Sequence, residues 1–234
     1  MSKIAPPSDD LRLVVFDVDG TLIDSEHNIV AAMTEAWSRM ELGVPEPTDV
    51  RRIIGLSLVE ACAVLLPWAP HNLHRSVAEA YKDAFRAMRL LPDTTEPLFP
   101  GVLEALDQLE QAGWLLGLAT GKSRRGVQAM LDTHHLHGRF MTIQTADDNP
   151  SKPHPAMLQR AAAECGVEPS RVVMVGDTAY DMLMANSARA AALGVSWGYH
   201  SLDELNRAGA RMVIDSFENL GDIVARLTGG HQCA

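Results

Sequence analysis

Hydrophobic and polar positions along this chain follow two different rhythms. Six short apolar runs, residues 12–16, 114–119, 140–144, 171–175, 190–195 and 210–214, have the length and composition of buried strands. The run at 140–144 is the weaker candidate. Helical periods lie between them: Val102, Leu103, Ala105, Leu106 and Leu109 precede the second run, and Ala156, Met157, Leu158, Ala161 and Ala162 precede the fourth. Strand and helix in alternation imply a parallel sheet with helices on both faces.

Residues 25–94 have the other rhythm. Ile29, Val30, Met33, Trp37 and Met40 recur at helical spacing, Ser57-Leu58-Val59-Glu60 has the form of a capping box, and residues 73–88 are rich in Ala, Glu, Lys and Arg with apolar positions three and four apart. No strand pattern occurs there. The expected fold class is therefore α/β, a Rossmann-like parallel sheet with an inserted helical subdomain. Residues 1–24 and 95–234 form the core and 25–94 the insert, with links near residues 24–27 and 91–100. No internal repeat or low-complexity tract is present.

Composition narrows the picture. The 234 residues suffice for one large domain, or for a core of roughly 150 residues with a smaller insert. A formal charge of −10 disfavours nucleic acid as a partner, because phosphate backbones require clustered Lys and Arg. Cys62, Cys165 and Cys233 are too few and too scattered for a zinc pattern or a disulfide framework, so free thiols in a reducing compartment are expected. No run approaches the ~18 apolar residues of a membrane span. Residues 1–10 read as a polar tail without the apolar stretch of a signal peptide, and the expected location is cytoplasmic.

The chemistry lies at the ends of the strand-like runs. Asp17, Thr120 and Asp177 each end or follow one, and Lys152 follows the run at 140–144 by a short loop. In a parallel sheet the carboxyl ends of the strands share one edge, so these scattered groups converge. Asp17-Val18-Asp19-Gly20-Thr21-Leu22 sets two carboxylates two positions apart, which suits a metal, a nucleophile or a proton-transfer pair. An Asp-Gly hairpin turn is an equal alternative. A calcium loop fails, because Leu22 and Asn28 stand where Gly and Glu belong. Thr120-Gly121-Lys122-Ser123 nearly matches the end of a Walker loop, with Leu116 where Gly is needed. A strand-to-helix turn of this kind can hold a phosphate oxygen, or Thr120 can simply cap a helix. Lys152, in Ser151-Lys152-Pro153-His154-Pro155, is a candidate fixed cation, and His154 a loop former. Gly176-Asp177-Thr178-Ala179-Tyr180-Asp181 supplies two more acids for magnesium, or Asp177 as a helix cap.

In this order, Asp17-x-Asp19-Gly20-Thr21, Thr120, Lys152 and Gly176-Asp177-x-x-x-Asp181 resemble the four motifs of the haloacid dehalogenase superfamily, and the set spans the core. The helical insert after the first motif resembles that superfamily's small cap. Phe99-Pro100-Gly101-Val102, Ala119-Thr120-Gly121-Lys122-Ser123 and Ser151-Lys152-Pro153-His154-Pro155 are similar to phosphoglycolate-phosphatase-like members. The resemblance implies Asp17 as nucleophile and metal ligand, and Asp19 as general acid/base that also ligates metal through its backbone carbonyl. It implies Thr120, Gly121 and Lys152 as phosphate-binding, and Asp177 with Asp181 as ligands of Mg2+, Asp181 directly or one layer out. Asp24-Ser25 fits the hinge into the cap. One departure is Ala188-Arg189, where the familiar pattern has Ala-Gly; it bears on a helix end and no catalytic position.

The resemblance implies a magnesium-dependent phosphatase acting on a small phosphorylated metabolite. A sugar-phosphate mutase of the β-phosphoglucomutase type shares the core. Dehalogenation is disfavoured because it needs neither Asp19 nor the magnesium set. A non-enzymatic phospho-acceptor or binding module would lack a large insert after the first strand. Arg51, Arg52, Gly55 and Ser57 in the cap, Arg124 and Arg125 after the Thr120 loop, and Tyr199 and His200 are open candidates for substrate contact. Oligomeric state leaves no mark on the sequence.

Overall fold

The computed structural model describes residues 11–91 and 94–229; the polar tail at 1–10 and Cys233 lie outside them. The six apolar runs form one parallel sheet, β1 (Leu13–Phe16), β2 (Leu115–Thr120), β3 (Thr142–Thr145), β4 (Val172–Gly176), β5 (Ala191–Val195) and β6 (Met212–Ile214), in the order β3-β2-β1-β4-β5-β6. The chain builds outward from β1 to β3 and then crosses back to place β4 beside β1. That reversal opens a crevice at the carboxyl ends of the central strands.

Alternation along each strand divides the core into two layers. Val14 and Phe16 of β1 face α5 (Val102–Gln111), α6 (Arg124–Thr133) and α10 (Leu220–Thr228) through Leu106, Leu109, Val127, Leu131 and Val224. Leu13 and Val15 face α7 (Ala156–Cys165), α8 (Ala179–Ser187) and α9 (Leu202–Arg207) through Met157, Leu158, Met182, Ala185 and Leu205. All four residues of β1 are fully buried, as a central strand covered on both faces requires. β3 is less apolar. Its Thr142 and Gln144 side chains bond Glu164 of α7 instead of packing as hydrocarbon.

Between β1 and α5 the chain forms α1 (Glu26–Arg39), α2 (Pro47–Arg52), α3 (Leu58–Leu65) and α4 (His71–Met88). They close on a third apolar cluster, with Ile29, Met33 and Ala36 of α1 against Cys62 of α3 and Val77 and Phe85 of α4. Ser57 does stand at the N-cap of α3, but the expected capping box does not form: its side chain makes no cap hydrogen bond. Its backbone N–H instead donates to Ser151 Oγ at 2.8 Å, so this helix start is tied to the core loop that carries Lys152. Among the described residues no helix is long and apolar enough to cross a membrane.

Candidate active site

Asp17 follows the last residue of β1, and its backbone N–H continues the ladder to Val175 O at 2.9 Å, which fixes its position at the sheet edge. One carboxylate oxygen, Oδ1, receives Val18 N–H at 2.7 Å and lies 2.9 Å from Lys152 Nζ. The other, Oδ2, is buried and has no hydrogen-bond partner among the described residues. A buried unpaired oxygen is costly unless something binds there. Burial pushes the Asp17 carboxyl up to about 7, with Lys152 opposing the shift and Asp181 adding to it.

Lys152 is the cation paired with Asp17. Its Nζ lies between Asp17 Oδ1 and Asp181 Oδ1, 2.6 Å from the latter, with both side chains of that second pair fully buried. Burial lowers its pKa, but the two carboxylates outweigh that and hold it above the ordinary lysine value. Asp181 Oδ2 closes a capping box with Thr178, receiving both its N–H and its hydroxyl. The cap of α8 is thus Thr178, not Asp177. Both oxygens of Asp181 already have partners.

Asp177, at the end of β4, receives Thr21 Oγ1 at 2.9 Å and Tyr199 N–H at 3.0 Å. Burial raises its pKa well above the ordinary range, and Asp17 and Asp181 raise it further. Oxygens of Asp17, Asp177 and Asp181 lie within 4.8 Å of one another. A hard oxygen set with one orphaned lone pair and excess negative charge fits a divalent cation such as magnesium.

Thr120 is buried at the end of β2, and its Oγ1 accepts Lys122 N–H at 3.1 Å; the cap of α6 is Ser123, which accepts Gly126 N–H at 3.2 Å. Gly121 sits against the α2–α3 connection: a Cβ here would lie 2.8 Å from Gly55 O and closer still to Leu56 O. Gly20, at φ 85°, makes a turn in which a side chain would strike Asp177 and Tyr199. Neighbouring strands on β1 are both parallel, so the Asp-Gly turn closes no hairpin with them.

A cavity of about 980 Å³ opens above these groups between the sheet edge and α1–α4, lined among others by Asp17, Asp19, Thr120, Gly121, Gly55 and Ser57. Ile29, Met33, Ile54, Tyr81 and Phe85 give it an apolar wall, and Arg75, Arg89 and Arg125 a cationic rim. Arg51 and Arg52 stand outside that lining. Arg51 is drawn to Glu26 at 2.5 Å, and Arg52 meets the core through its backbone oxygen, which accepts Tyr180 OH at 3.1 Å. Arg124 pairs with Asp148 at the surface. His200 Nδ1 accepts Ala179 N–H at the start of α8, and His154 Nδ1 that of Ala156.

Residues 14–195 match the haloacid dehalogenase-like hydrolase family. The chain belongs to the haloacid dehalogenase-like hydrolases. Within that family it is 35% identical to the probable phosphatase IndB of Dickeya dadantii over 89% of this chain and 91% of that protein. It is 28% identical to a phosphoglycolate phosphatase of Vibrio vulnificus over 92% and 96% of the two chains. A hydrolase from Pseudomonas syringae superposes with a TM-score of 0.80 at 26% identity over 92% and 98%. A putative β-phosphoglucomutase from Bacteroides vulgatus shares the fold, with a TM-score of 0.78 at 20% identity over 95% and 90%. These relatives bear out the expected enzyme class, a hydrolase of the phosphatase type.

Three neighbours of the acidic cluster in this haloacid dehalogenase-like hydrolase are less legible in sequence. Lys122 Nζ lies 2.6 Å from Asp19 Oδ1 and 3.2 Å from Glu96 Oε1. Tyr199 donates its N–H to Asp177, and its hydroxyl lies 3.4 Å from Ser25 Oγ. Lys122 sits inside the Walker-like tetrapeptide and Tyr199 follows the fifth strand, so each had a positional hint. Glu96, in the link from α4 to the core, had none.

Proposed function

We propose that this chain is a magnesium-dependent phosphatase that hydrolyses a small phosphate monoester through a phospho-aspartyl intermediate on Asp17. The observation that carries the reading is the Asp17 carboxylate: Oδ1 is held by Lys152 and Val18 N–H while Oδ2 is buried and unpartnered at the floor of the cavity. One Asp17 oxygen attacks phosphorus and the other is left to the metal. As the Asp17 oxygen–phosphorus bond forms, the bond from phosphorus to the leaving oxygen breaks, and Asp19 delivers a proton to that oxygen. In the second half Asp19 takes a proton from water as the water oxygen attacks phosphorus. The phosphorus–Asp17 bond breaks and inorganic phosphate leaves.

Thr120 Oγ1, Gly121 N–H and Lys152 Nζ hold the phosphoryl oxygens. Asp17, Asp177 and the backbone carbonyl of Asp19 would hold the magnesium ion, with Asp181 fixing Lys152 beside it. When bound, the cation offsets the charge of the phosphoryl group and the carboxylates. The cavity is roomy for a phosphoglycolate, the compound named in the Vibrio relative, and its apolar wall suits a larger organic part.

The test is a panel of phosphorylated metabolites, with magnesium or with chelator, scored for phosphate release. Phosphoglycolate, sugar phosphates, nucleotides and pyrophosphate belong in it. Magnesium-dependent release that Asp17→Asn abolishes is the expected result. Interconversion of hexose 1- and 6-phosphates without release would select the mutase, and no turnover of any compound would refute both.

A further inference from the structure

A buried ionic chain runs from Asp19 to the far end of the last helix of the α1–α4 layer. Asp19 Oδ1 receives two donors at 2.6 Å each, Ser25 Oγ and Lys122 Nζ. Lys122 continues to Glu96 Oε1 at 3.2 Å, and Glu96 Oε2 takes a forked pair from Arg89, Nε at 3.2 Å and Nη2 at 2.9 Å. All four charged side chains are largely sheltered, between 9% and 24% exposed, so water screens these contacts little. Phe85 of α4 adds its ring face 5.5 Å from Lys122 Nζ. Asp19 Oδ2 takes part in none of these bonds and is the oxygen left for proton transfer.

The members come from separate places. Asp19 and Lys122 belong to core loops after β1 and β2. Ser25 sits where the chain leaves the core for α1, Glu96 where it returns, and Arg89 at the C-cap of α4. Both crossings between the core and the helical layer therefore reach one oxygen of Asp19, Ser25 directly and Glu96 through Lys122. We propose that Lys122 is a positioning residue, which holds the Asp19 carboxylate in its working rotamer and couples that rotamer, through Glu96 and Arg89, to the seating of the α1–α4 helices. This rests on the phosphatase reading above. When the helical layer lifts, Ser25 and Glu96 move with the links, Asp19 loses its fixed orientation, and proton delivery to the leaving group stops.

The test compares two leaving groups in wild type, Lys122→Met and Glu96→Gln. p-Nitrophenolate departs with little need of a proton. An alkoxide departs poorly without one, so phosphoglycolate, or the best alkyl phosphate of the panel, is the second probe. Lys122→Met is expected to lower kcat/KM on the alkyl phosphate by ~10²-fold, the scale of lost acid/base catalysis. That ratio reports the half-reaction that expels the leaving group, before Asp19 acts on water. The loss on p-nitrophenyl phosphate should be at least about tenfold smaller. Glu96→Gln leaves the Lys122–Asp19 contact and should lower kcat/KM on the alkyl phosphate by about tenfold, the scale of mutations along a coupled network. Equal losses of kcat/KM on both leaving groups would overturn the proposal, as would an unchanged kcat/KM. A rise in KM alone, alike on both probes, would make Lys122 a substrate contact instead and also overturn it. Should Lys122→Met not fold, Glu96→Gln and Lys122→Arg decide by the same leaving-group comparison. Failure of the phosphatase reading is separate, since wild type would then release no phosphate from either probe.

Discussion

Gly121→Ala is the sharpest test of whether the helical layer must rest on the core during turnover. The added methyl would lie 2.8 Å from Gly55 O and nearer to Leu56 O, where a carbon and a carbonyl oxygen settle at about 3.3–3.6 Å. Both oxygens are backbone, so no side chain can swing aside. The two loops must part by about 1 Å. The backbone at Gly121 lies outside the left-handed region, so Ala itself is unstrained there. The core keeps its own apolar clusters, and Tm is expected to fall by no more than a few degrees, about 1 kcal/mol or less. A displacement of ~1 Å at a reacting centre costs about 10²-fold, or roughly 2.7 kcal/mol of transition-state stabilisation. The assay is kcat/KM for phosphate release beside a thermal melt. Gly221→Ala in α10, where an added Cβ meets nothing within 4 Å, is the control that should leave kcat/KM unchanged. If Gly121→Ala turns over within about twofold of wild type at an unchanged Tm, the contact is incidental and the reasoning fails.

Asp17→Asn keeps the Lys152 and Val18 contacts on Oδ1 and replaces the unpartnered Oδ2, so it should abolish turnover yet raise the Tm of metal-free protein. The Asp17 carboxyl rises from 3.8 to about 7 on folding, so its contribution favours the native state below pH 3.8 and is lost as pH climbs through 7. The Tm advantage of Asn should therefore grow from pH 5 to pH 8 in differential scanning; an advantage that shrinks over that range would refute the assignment. Arg189 takes φ 61° at the end of α8, where Ala190 N–H bonds Ala185 O and its own N–H bonds Asn186 O. Arg189→Gly should stabilise by about 0.5–1 kcal/mol, the left-handed cost less the entropy of Gly, with kcat unchanged. Cys62 is buried and its thiol is pushed up to about 12, so native protein at pH 8 should leave it unalkylated by peptide mass mapping, while protein in guanidinium labels it.

The sheet was readable because four of its strands, β1, β2, β4 and β5, are buried on both faces or end in motif residues, and burial writes itself as continuous Val, Leu, Ala and Met. β3 was harder to read, since Thr142 and Gln144 serve hydrogen bonds to Glu164. Asp17, Thr120 and Asp177 were legible for the same topological reason: each stands where a strand stops. The capping alternatives offered for Asp177 and Thr120 do not hold: Thr178 caps α8 and Ser123 caps α6, because a hydroxyl before a helix and one facing a site look alike in sequence. Ser57 had the spacing of a capping box, but its loop is held by Ser151 across 94 positions of sequence. Glu96 was invisible for the related reason that its partners, Lys122 and Arg89, meet it only once the helices have folded back.

The ladder bond from Asp17 N–H to Val175 O sets a rule for redesign. With a parallel strand on each side of β1, the Asp17 carboxylate is anchored to the buried centre of the sheet. Substrates must be brought to it, and it will not shift to meet them. Libraries that seek new substrates should therefore vary the walls, Ile29, Met33 and Ile54 or Arg75 and Tyr81, and leave the floor untouched. A change of preference obtained that way would alter which molecule is delivered while the bond-breaking step stays as it was.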